Sequence, residues 1–193
     1  MAFDVFKAIM ERRTVRRYKQ ESIPEETLKK LVNTARVAPS AANLQPLEYV
    51  VIKDPQILPK VFETVKWAGY IAPAGNPKEG ERPTAYIVVI VSKNVNSLHS
   101  NYDAGAAIEN ISLAAWEEGI GSCWIRSVER NVLKAIINVP DTHEIDSVVA
   151  LGYKAENPKE EGFSGSIKYW KDKDDVLHVP KRKMEDIFHW DKF

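Results

Sequence analysis

Apolar side chains recur at helical spacing in the first forty residues and predict two helices there. The first covers residues 3–12, and its buried side is predicted to carry Val5, Phe6, Ile9 and Met10. The second begins at Ser22-Ile23-Pro24-Glu25, which is typical of a capping box with proline in the first turn. It ends before Pro39, because the residue before a proline avoids the helical region. A loop of small and polar residues, 40–45, therefore follows a helix end.

Short runs rich in β-branched residues predict four strands, at residues 49–52, 85–91, 122–125 and 147–151. The run 85–91 is apolar at every position, which predicts a strand that is buried on both faces. Two more helices are predicted between strands, one starting at Asp54-Pro55 and one carrying Val132, Leu133, Ile136 and Ile137. Helices interleaved with strands indicate a mixed sheet that is covered by helices.

The longest predicted helix, residues 103–118, is apolar on nearly all sides and ends at Gly119. In a chain of 193 residues we expect such a helix to lie at a subunit interface rather than inside a large core. After Gly152 the chain becomes polar, and apolar residues return only at 184–190. A segment of this composition is expected to be disordered or to wrap a partner. We therefore predict a single domain, residues 1–193, with 154–193 as a polar C-terminal extension that wraps the partner subunit.

Composition and charge limit the classes of function. Basic and acidic residues number 27 each, so the chain lacks the basic surface that nucleic-acid binding favours. The first residues do not show a signal-peptide pattern, and the longest apolar run is too short to span a bilayer. The single cysteine, Cys123, is interpreted as a packing residue, and the four histidines lack metal-ligand spacing. We expect a cytoplasmic protein that binds no metal, membrane or nucleic acid.

Two neighbouring motifs carry the candidate chemistry. Residues 11–18, Glu-Arg-Arg-Thr-Val-Arg-Arg-Tyr, place four guanidiniums within six positions, and such groups match phosphate oxygens in a bidentate way. Residues 38–46, Ala-Pro-Ser-Ala-Ala-Asn-Leu-Gln-Pro, form a turn whose hydroxyl and amides suit the edge of a planar heteroaromatic ring. Together they suggest a nucleotide-like cofactor. The alternatives are a solvated arginine face and, for Asn43 and Gln45, bonds to the loop backbone.

The segment 67–83 is rich in glycine, proline and charge, and a loop of this length is more often functional than idle. Its aromatic residues Trp67 and Tyr70 are candidates for covering a substrate, with core packing as the alternative for Trp67.

Five motifs, in this order along the chain, resemble the nitroreductase family of flavin-dependent oxidoreductases. They are residues 12–18, 38–46, 103–111, 119–125 and 150–153. The resemblance covers roughly residues 3 to 182. It implies an α+β fold with a central mixed or antiparallel sheet flanked by helices. It also implies an intertwined homodimer with one FMN in each of two sites at the subunit interface.

The resemblance also implies roles for individual residues. The FMN phosphate, ribityl chain and pyrimidine side are assigned to Arg12, Arg13, Thr14 and Arg16. The loop that approaches the same flavin from the other subunit contributes Pro39, Ser40, Ala41 and Asn43, and Gln45 is a further candidate because of its side-chain amide. The backbone that faces flavin N5 is assigned to Ile125, Arg126 and Ser127, and a late basic pair, Lys181 and Arg182, is assigned to the phosphate.

The activity implied is ping-pong reduction of nitroaromatics, quinones or related electron acceptors, with NADH or NADPH as the donor. Relatives often have tryptophan where this chain has Leu47 and glycine where it has Arg126. The Arg126 side chain would reach the substrate side and favour an anionic substrate. Two alternatives stay open. One is a flavin-fragmenting or reductively dehalogenating enzyme on the same fold, and the other is a non-enzymatic protein that binds an anionic ligand or partner.

Overall fold

A computed structural model describes residues 4–193 and shows helices packed around a central sheet, with a second small sheet at the C-terminal end. The α-helices of the described part are α1 Val5–Glu11, α2 Glu25–Arg36, α3 Leu58–Glu63, α4 Ser100–Glu117 and α5 Arg130–Ile136. The strands are β1 Leu47–Ile52, β2 Ala85–Ser92, β3 Ile120–Ile125, β4 His143–Tyr153, β5 Lys159–Gly162, β6 Trp170–Lys171 and β7 Leu177–Lys181.

The central sheet has the strand order β1-β2-β4-β3, and every neighbouring pair is antiparallel. Successive side chains of β2 enter two different cores because side chains alternate between the faces of a sheet. Tyr86, Val88 and Ile90 join one core with the α3 and α5 region. Ile87 and Val89 join the other with α2 and α4. The predicted burial of this strand on both faces is confirmed.

The arginine segment, residues 12–17, is held against the outer side of β3 by two buried side chains. One lies within the segment and the other directly follows it. Val15 and Tyr18 are both fully buried, and the Val15 amide donates to the Ser122 carbonyl at 3.0 Å. The Tyr18 hydroxyl donates to the Val15 carbonyl at 2.5 Å. These contacts fix the backbone and leave the intervening charged side chains near the surface.

Two glycines make room for these side chains. Gly121 of β3 and Gly152 of β4 are cross-strand partners. A Cβ on Gly121 would lie 2.6 Å from the Val15 Cβ, and one on Gly152 would lie 2.7 Å from the Tyr18 Cβ. Both distances are below any real carbon–carbon contact. The close approach of the arginine segment to the sheet therefore requires glycine at both positions.

Helix α4 covers one face of the central sheet, and its other side is partly open. Its buried residues include Ala104, Ala107, Ile108, Ile111 and Ala115, whereas Tyr102 and Glu109 are exposed. The helix starts three residues before the predicted position, and Gly119 follows it with a φ of 74°. Within residues 4–193, no helix combines the length and the apolarity that crossing a membrane would require.

The prediction that the apolar side of the first helix is buried is wrong for the single chain. Only Ala8 of α1 is buried, and the apolar residues are half or more exposed: Val5, Phe6, Ile9 and Met10. The helix contacts α4 at the edge of the fold. Helical spacing reveals an apolar stripe, but it does not say whether the chain itself or a second molecule covers that stripe.

Some local predictions also differ from the structure. The capping box is wrong, because the N-cap of α2 is Pro24 and no side chain caps the helix. The helix predicted to start at Asp54-Pro55 begins only at Leu58, because Asp54 instead accepts from the Gln56 amide at 2.7 Å in a turn. In α5, Leu133 is buried but Val132 is exposed. Strands β1, β3 and β4 are confirmed and run longer than predicted.

Part of the C-terminal extension forms a small sheet of its own, whereas its composition predicted either disorder or a segment that wraps a partner. Strand β7 pairs in parallel with β5 and antiparallel with β6. Leu177 is buried beneath this small sheet, and His178 lies between the carboxylates of Glu161 and Asp172, at 3.2 and 2.9 Å. The last residues expose the apolar side chains Met184, Ile187, Phe188, Trp190 and Phe193. Their contact with a partner subunit stays a prediction.

We predict that Gly121→Ala and Gly152→Ala each destabilise the protein by about 1–3 kcal/mol, since the added methyl group overpacks the contact with Val15 or Tyr18. Urea unfolding of both variants measures the effect. Gly69→Ala is the matched control, because a Cβ there meets nothing within 4 Å. Equal stability of the three variants would contradict the proposed close approach.

Candidate functional site

The arginine segment opens onto a cavity of about 380 Å³, which we call the arginine pocket. Its walls come from the end of α1, the arginine segment and the small C-terminal sheet, and they comprise Ile9, Met10, Arg12, Arg13, Thr14, Arg16, Glu160, Tyr169, Val179 and Lys181. The structure thus brings together five of the residues assigned from the sequence: Arg12, Arg13, Thr14, Arg16 and Lys181. Four of these carry a positive charge.

Carboxylates neutralise some of these cations and leave others available. The Arg12 Nε lies 3.1 Å from a Glu109 oxygen on α4, and Arg13 forms an ion pair with Glu160 on β5. Within residues 4–193, neither Arg16 nor Lys181 has a carboxylate at ion-pair distance. The Arg16 guanidinium instead lies 5.2 Å from the centre of the Tyr169 ring, a cation–π distance. Arg16 and Lys181 are therefore the cations most available to an anion.

The backbone of the arginine segment is fixed by a residue that sequence reasoning missed. One oxygen of Glu156 accepts from the amides of Arg16 and Arg17 at 2.5 and 3.2 Å. Arg17 points away from the pocket and pairs with Glu81 and Asp175. Lys171 and Arg17 lower the pKa of the Asp175 carboxyl, which keeps it ionised.

Cys123 lies buried on β3, close to the Arg16 side chain. Burial raises the pKa of its thiol, and the nearby guanidinium only partly opposes this shift. A neutral, buried thiol is a poor nucleophile, which agrees with the predicted packing role.

The Ser40 loop, residues 39–46, is held by a buried carboxylate at the start of α4. Asp103 accepts from the Ala41 amide at 3.0 Å and from the Ser40 hydroxyl at 2.8 Å. The Ser40 oxygen in turn accepts from the Gln45 amide at 3.0 Å. The loop needs this support because three of its residues have positive φ: Ala42, Asn43 and Gln45. Non-glycine residues adopt that conformation only where the surrounding structure imposes it.

A second cavity, of about 150 Å³, lies beside the Ser40 loop. Pro39, Ser40 and Gln45 line it, whereas Ala41 and Asn43 do not. Burial, with a smaller contribution from Asp103, raises the pKa of the Tyr49 hydroxyl in this wall to about 12. That hydroxyl is therefore neutral at ordinary pH and is able to donate a hydrogen bond. In the single chain, this cavity and the arginine pocket have separate sets of lining residues.

The residues after β3 and the second member of the late basic pair lie outside both cavities. Ile125 is buried, and the exposed Arg126 guanidinium lies 3.6 Å from an Asp146 oxygen. The Ser127 carbonyl accepts from the Lys66 amide at 3.0 Å. Arg182 turns away from the pocket and donates to the Asp186 carbonyl at 2.5 Å.

The two aromatic residues assigned to substrate have different environments. Trp67 is buried and stacks on Phe62 with ring centres 5.5 Å apart, so the structure shows core packing rather than a cover over a ligand. Tyr70 is exposed and packs against Tyr169 at 4.9 Å. Tyr169 lines the arginine pocket and Tyr70 does not, so Tyr70 is connected to the pocket only by its contact with Tyr169.

Sequence reasoning missed Glu156, Glu160 and Tyr169, all from the C-terminal extension. The available signal was charge complementarity, since an acidic stretch at 156–161 matches an arginine cluster far away in sequence. Among the residues that the structure describes, no group of three or more histidine, cysteine, aspartate or glutamate side chains is placed to hold a metal ion.

The arginine pocket fits the phosphate end of a nucleotide-like ligand. The Arg13 Nε is buried and has no hydrogen-bond partner within the described residues, so this guanidinium keeps one unpaired donor. A buried donor without an acceptor is costly, and a phosphate oxygen would satisfy it. Thr14 adds a hydroxyl to the same wall. These donors are of the kind that a phosphate group requires.

The chain is similar to known proteins in sequence and in fold. A sequence profile of the Nitroreductase family matches residues 9–153. A protein from Archaeoglobus fulgidus, provisionally named NADH dehydrogenase/NAD(P)H nitroreductase, is 32% identical over 165 residues, which cover 82% of this chain and 87% of that protein. An iodotyrosine deiodinase from Haliscomenobacter hydrossis is 28% identical over 172 residues, which cover 75% of this chain and 77% of that protein.

A solved structure of similar fold is a nitroreductase with bound FMN from Bacteroides fragilis. It matches with a TM-score of 0.67 and 26% identity, over 86% of this chain and 97% of that one. The chain belongs to the nitroreductase family. The predicted α+β, nitroreductase-like fold is confirmed, and its central sheet is antiparallel throughout.

We predict that Asp103→Ala lowers the free energy of unfolding by about 2–3 kcal/mol, because it removes a charged acceptor and leaves two loop donors unpaired. Asp103→Asn is expected to lose less, since it keeps one acceptor oxygen. Urea unfolding is the measurement, and Glu117→Ala, an exposed change on the same helix, is the control. A loss no larger than that of the control would contradict the role of Asp103 in holding the loop.

Proposed function

We propose that this protein is an FMN-dependent oxidoreductase that uses NADH or NADPH to reduce nitroaromatics, quinones or related acceptors. The observation that carries the proposal is the arginine pocket, in which Arg12, Arg13, Thr14, Arg16 and Lys181 converge on one cavity. Its donors suit a terminal phosphate. Relatives with an FMN-bound structure and with NAD(P)H nitroreductase names support the choice of ligand and donor.

The flavin ring would lie between two chains of a homodimer. The Ser40 loop, with Pro39, Ser40, Ala41, Asn43 and Gln45, would approach the ring bound at the arginine pocket of the partner. Two exposed apolar surfaces support an extensive interface: the outer side of α1 and the last residues of the chain. Soluble monomers rarely expose apolar area of this kind without a partner. A cytoplasmic location stays a prediction.

When bound, FMN supplies reversible hydride acceptance, which couples oxidation of the nicotinamide to reduction of the acceptor in a ping-pong sequence. The protein supplies position and charge. Arg12 would stabilise negative charge at the pyrimidine edge of the ring, and Arg16 would bind the phosphate. The backbone at Ile125, Arg126 and Ser127 would face N5. Tyr70, together with the exposed Arg126 guanidinium, would face the substrate.

Reductive dehalogenation is the second candidate function. The observation that favours it is the similarity to an iodotyrosine deiodinase over three quarters of the chain. The Arg126 side chain is 58% exposed although one of its nitrogens lies 3.6 Å from Asp146, so its remaining donors suit a substrate that carries a carboxylate. Both candidates use the same FMN site and differ in the acceptor.

An absorption spectrum of the purified protein, followed by anaerobic addition of NADH and then NADPH, tests the proposal. We expect flavin bands that bleach with one or both nucleotides and return when a nitro compound or quinone is added. Bands that return only with a halogenated phenol would favour dehalogenation. A colourless protein that does not take up FMN on reconstitution would refute both functions and favour a non-enzymatic anion-binding role.

We predict that Arg16→Gln weakens FMN binding about ten- to hundredfold, because a charge-assisted hydrogen bond to phosphate contributes about 1.5–3 kcal/mol. Arg12→Gln is expected to have a smaller effect, since Glu109 already partners Arg12. Quenching of flavin fluorescence gives the dissociation constants. Lys29→Gln, an exposed cation on α2, is the control. Unchanged FMN affinity in Arg16→Gln would refute the assignment of Arg16 to the phosphate.

A further inference from the structure

Glu160 is the one acidic side chain among the described residues that line the arginine pocket. A carboxylate in a pocket of cations opposes the binding of an anion. It pairs with Arg13. The Arg13 side chain is 14% exposed, whereas the Glu160 side chain is 45% exposed. The guanidinium is therefore fixed in the wall, and the carboxylate is free to swing into solvent.

The small C-terminal sheet does not depend on Glu160. Side chains alternate along a strand, so Glu160 and its neighbour Glu161 face opposite ways. Glu161 accepts from the Trp170 indole at 2.7 Å and lies 3.2 Å from His178, and so it joins the three strands. Glu160 has Arg13 as its ion-pair partner within residues 4–193. Its carboxylate acts on the pocket rather than on the sheet.

With Glu160 in place, the pocket offers an anion two cations without an ion-pair partner among the described residues, and displacement of Glu160 would free Arg13 as a third. Glu109 neutralises Arg12 from outside the pocket, and Glu160 neutralises Arg13 from within. Arg16 and Lys181 then remain as two unpaired cations. A phosphate monoester carries a charge of about −1.5 to −2 at pH 7.

We propose that Glu160 is a built-in counter-ion that competes with a phosphate monoester for Arg13 and thereby limits the affinity of the pocket. The inference rests on the proposed FMN function and adds to it a residue that tunes binding of the phosphate alone. Arrival of a phosphate displaces the carboxylate from Arg13 into solvent. Glu160 keeps Arg13 paired when the pocket holds no anion, which avoids repulsion between Arg13 and the two unpaired cations Arg16 and Lys181.

Removal of this charge is expected to tighten phosphate binding. Without Glu160, a phosphate no longer has to break a half-exposed ion pair to reach Arg13, and we expect its affinity to rise about three- to tenfold. Riboflavin has the same ring but no phosphate, so its affinity is expected to stay unchanged. The gain is also expected to shrink at high salt, because exposed charges are screened.

The test measures FMN and riboflavin binding by fluorescence quenching in five proteins: wild type, Glu160→Gln, Glu160→Ala, Arg13→Gln and the double variant Arg13→Gln/Glu160→Gln. Inorganic phosphate is used as a competitor of FMN. Glu117→Gln, which removes an exposed charge that does not line the pocket, is the control. We expect both Glu160 variants to bind FMN and inorganic phosphate about three- to tenfold more tightly, with riboflavin unchanged. In the Arg13→Gln background the gain is expected to be smaller, because no ion pair with Arg13 has to be broken.

Weaker FMN binding in both Glu160 variants would overturn the proposal, because it would mean that the carboxylate holds the pocket in shape. An equal gain for riboflavin, or a gain of undiminished size without Arg13, would also overturn it. Wild-type protein that binds neither flavin would refute the proposed function and this inference together. Wild-type protein that prefers FMN, with the same preference in Glu160→Gln, would refute this inference alone.

Discussion

The structure of the candidate site depends on the contact between two buried side chains and two glycines. Val15 and Tyr18 lie against Gly121 and Gly152, at distances that any larger residue would forbid. This contact brings the arginine segment alongside β3 and fixes its backbone. The positions of the guanidiniums therefore follow from apolar packing rather than from the charges themselves. A cluster of arginines repels itself, so a neutral, rigid support is what allows several of them to face one cavity.

The charges impose a second constraint, which the C-terminal extension meets. Glu156 binds the backbone of the arginine segment, Glu160 pairs with Arg13, and Asp175 pairs with Arg17. These carboxylates lie in or beside the small sheet of β5, β6 and β7. The polar composition of the extension is thus complementary to the arginine segment. A segment with few aliphatic residues can be ordered without a core of its own when it packs against a charged surface of opposite sign.

Much of the central fold could be predicted from the sequence because its signals are local. The apolar run of β2, the spacing in α2 and the glycine after α4 each act through neighbouring residues. The arginine motif also predicted four of the residues that meet in the pocket, and the late basic pair predicted a fifth, Lys181. The environment of Trp67 could not be derived, because an aromatic residue in a loop satisfies either packing or binding. The partners of Arg13 and Arg17 come from residues about 150 positions away. The sequence shows that opposite charges exist, but not which of them meet.

Helix α4 connects the two halves of the candidate site within one chain. Asp103 near its start holds the Ser40 loop, and Glu109 holds Arg12. Six residues of helix separate the two carboxylates, a rise of about 9 Å. A rigid helix keeps these two contacts at a fixed spacing, so a shift of α4 would move the loop and the arginine segment together. In a homodimer of the proposed kind, each chain would give its loop to one flavin and its arginine pocket to the other. The two flavin sites would then be linked through α4, and a change at one site would reach the other through a single stiff element.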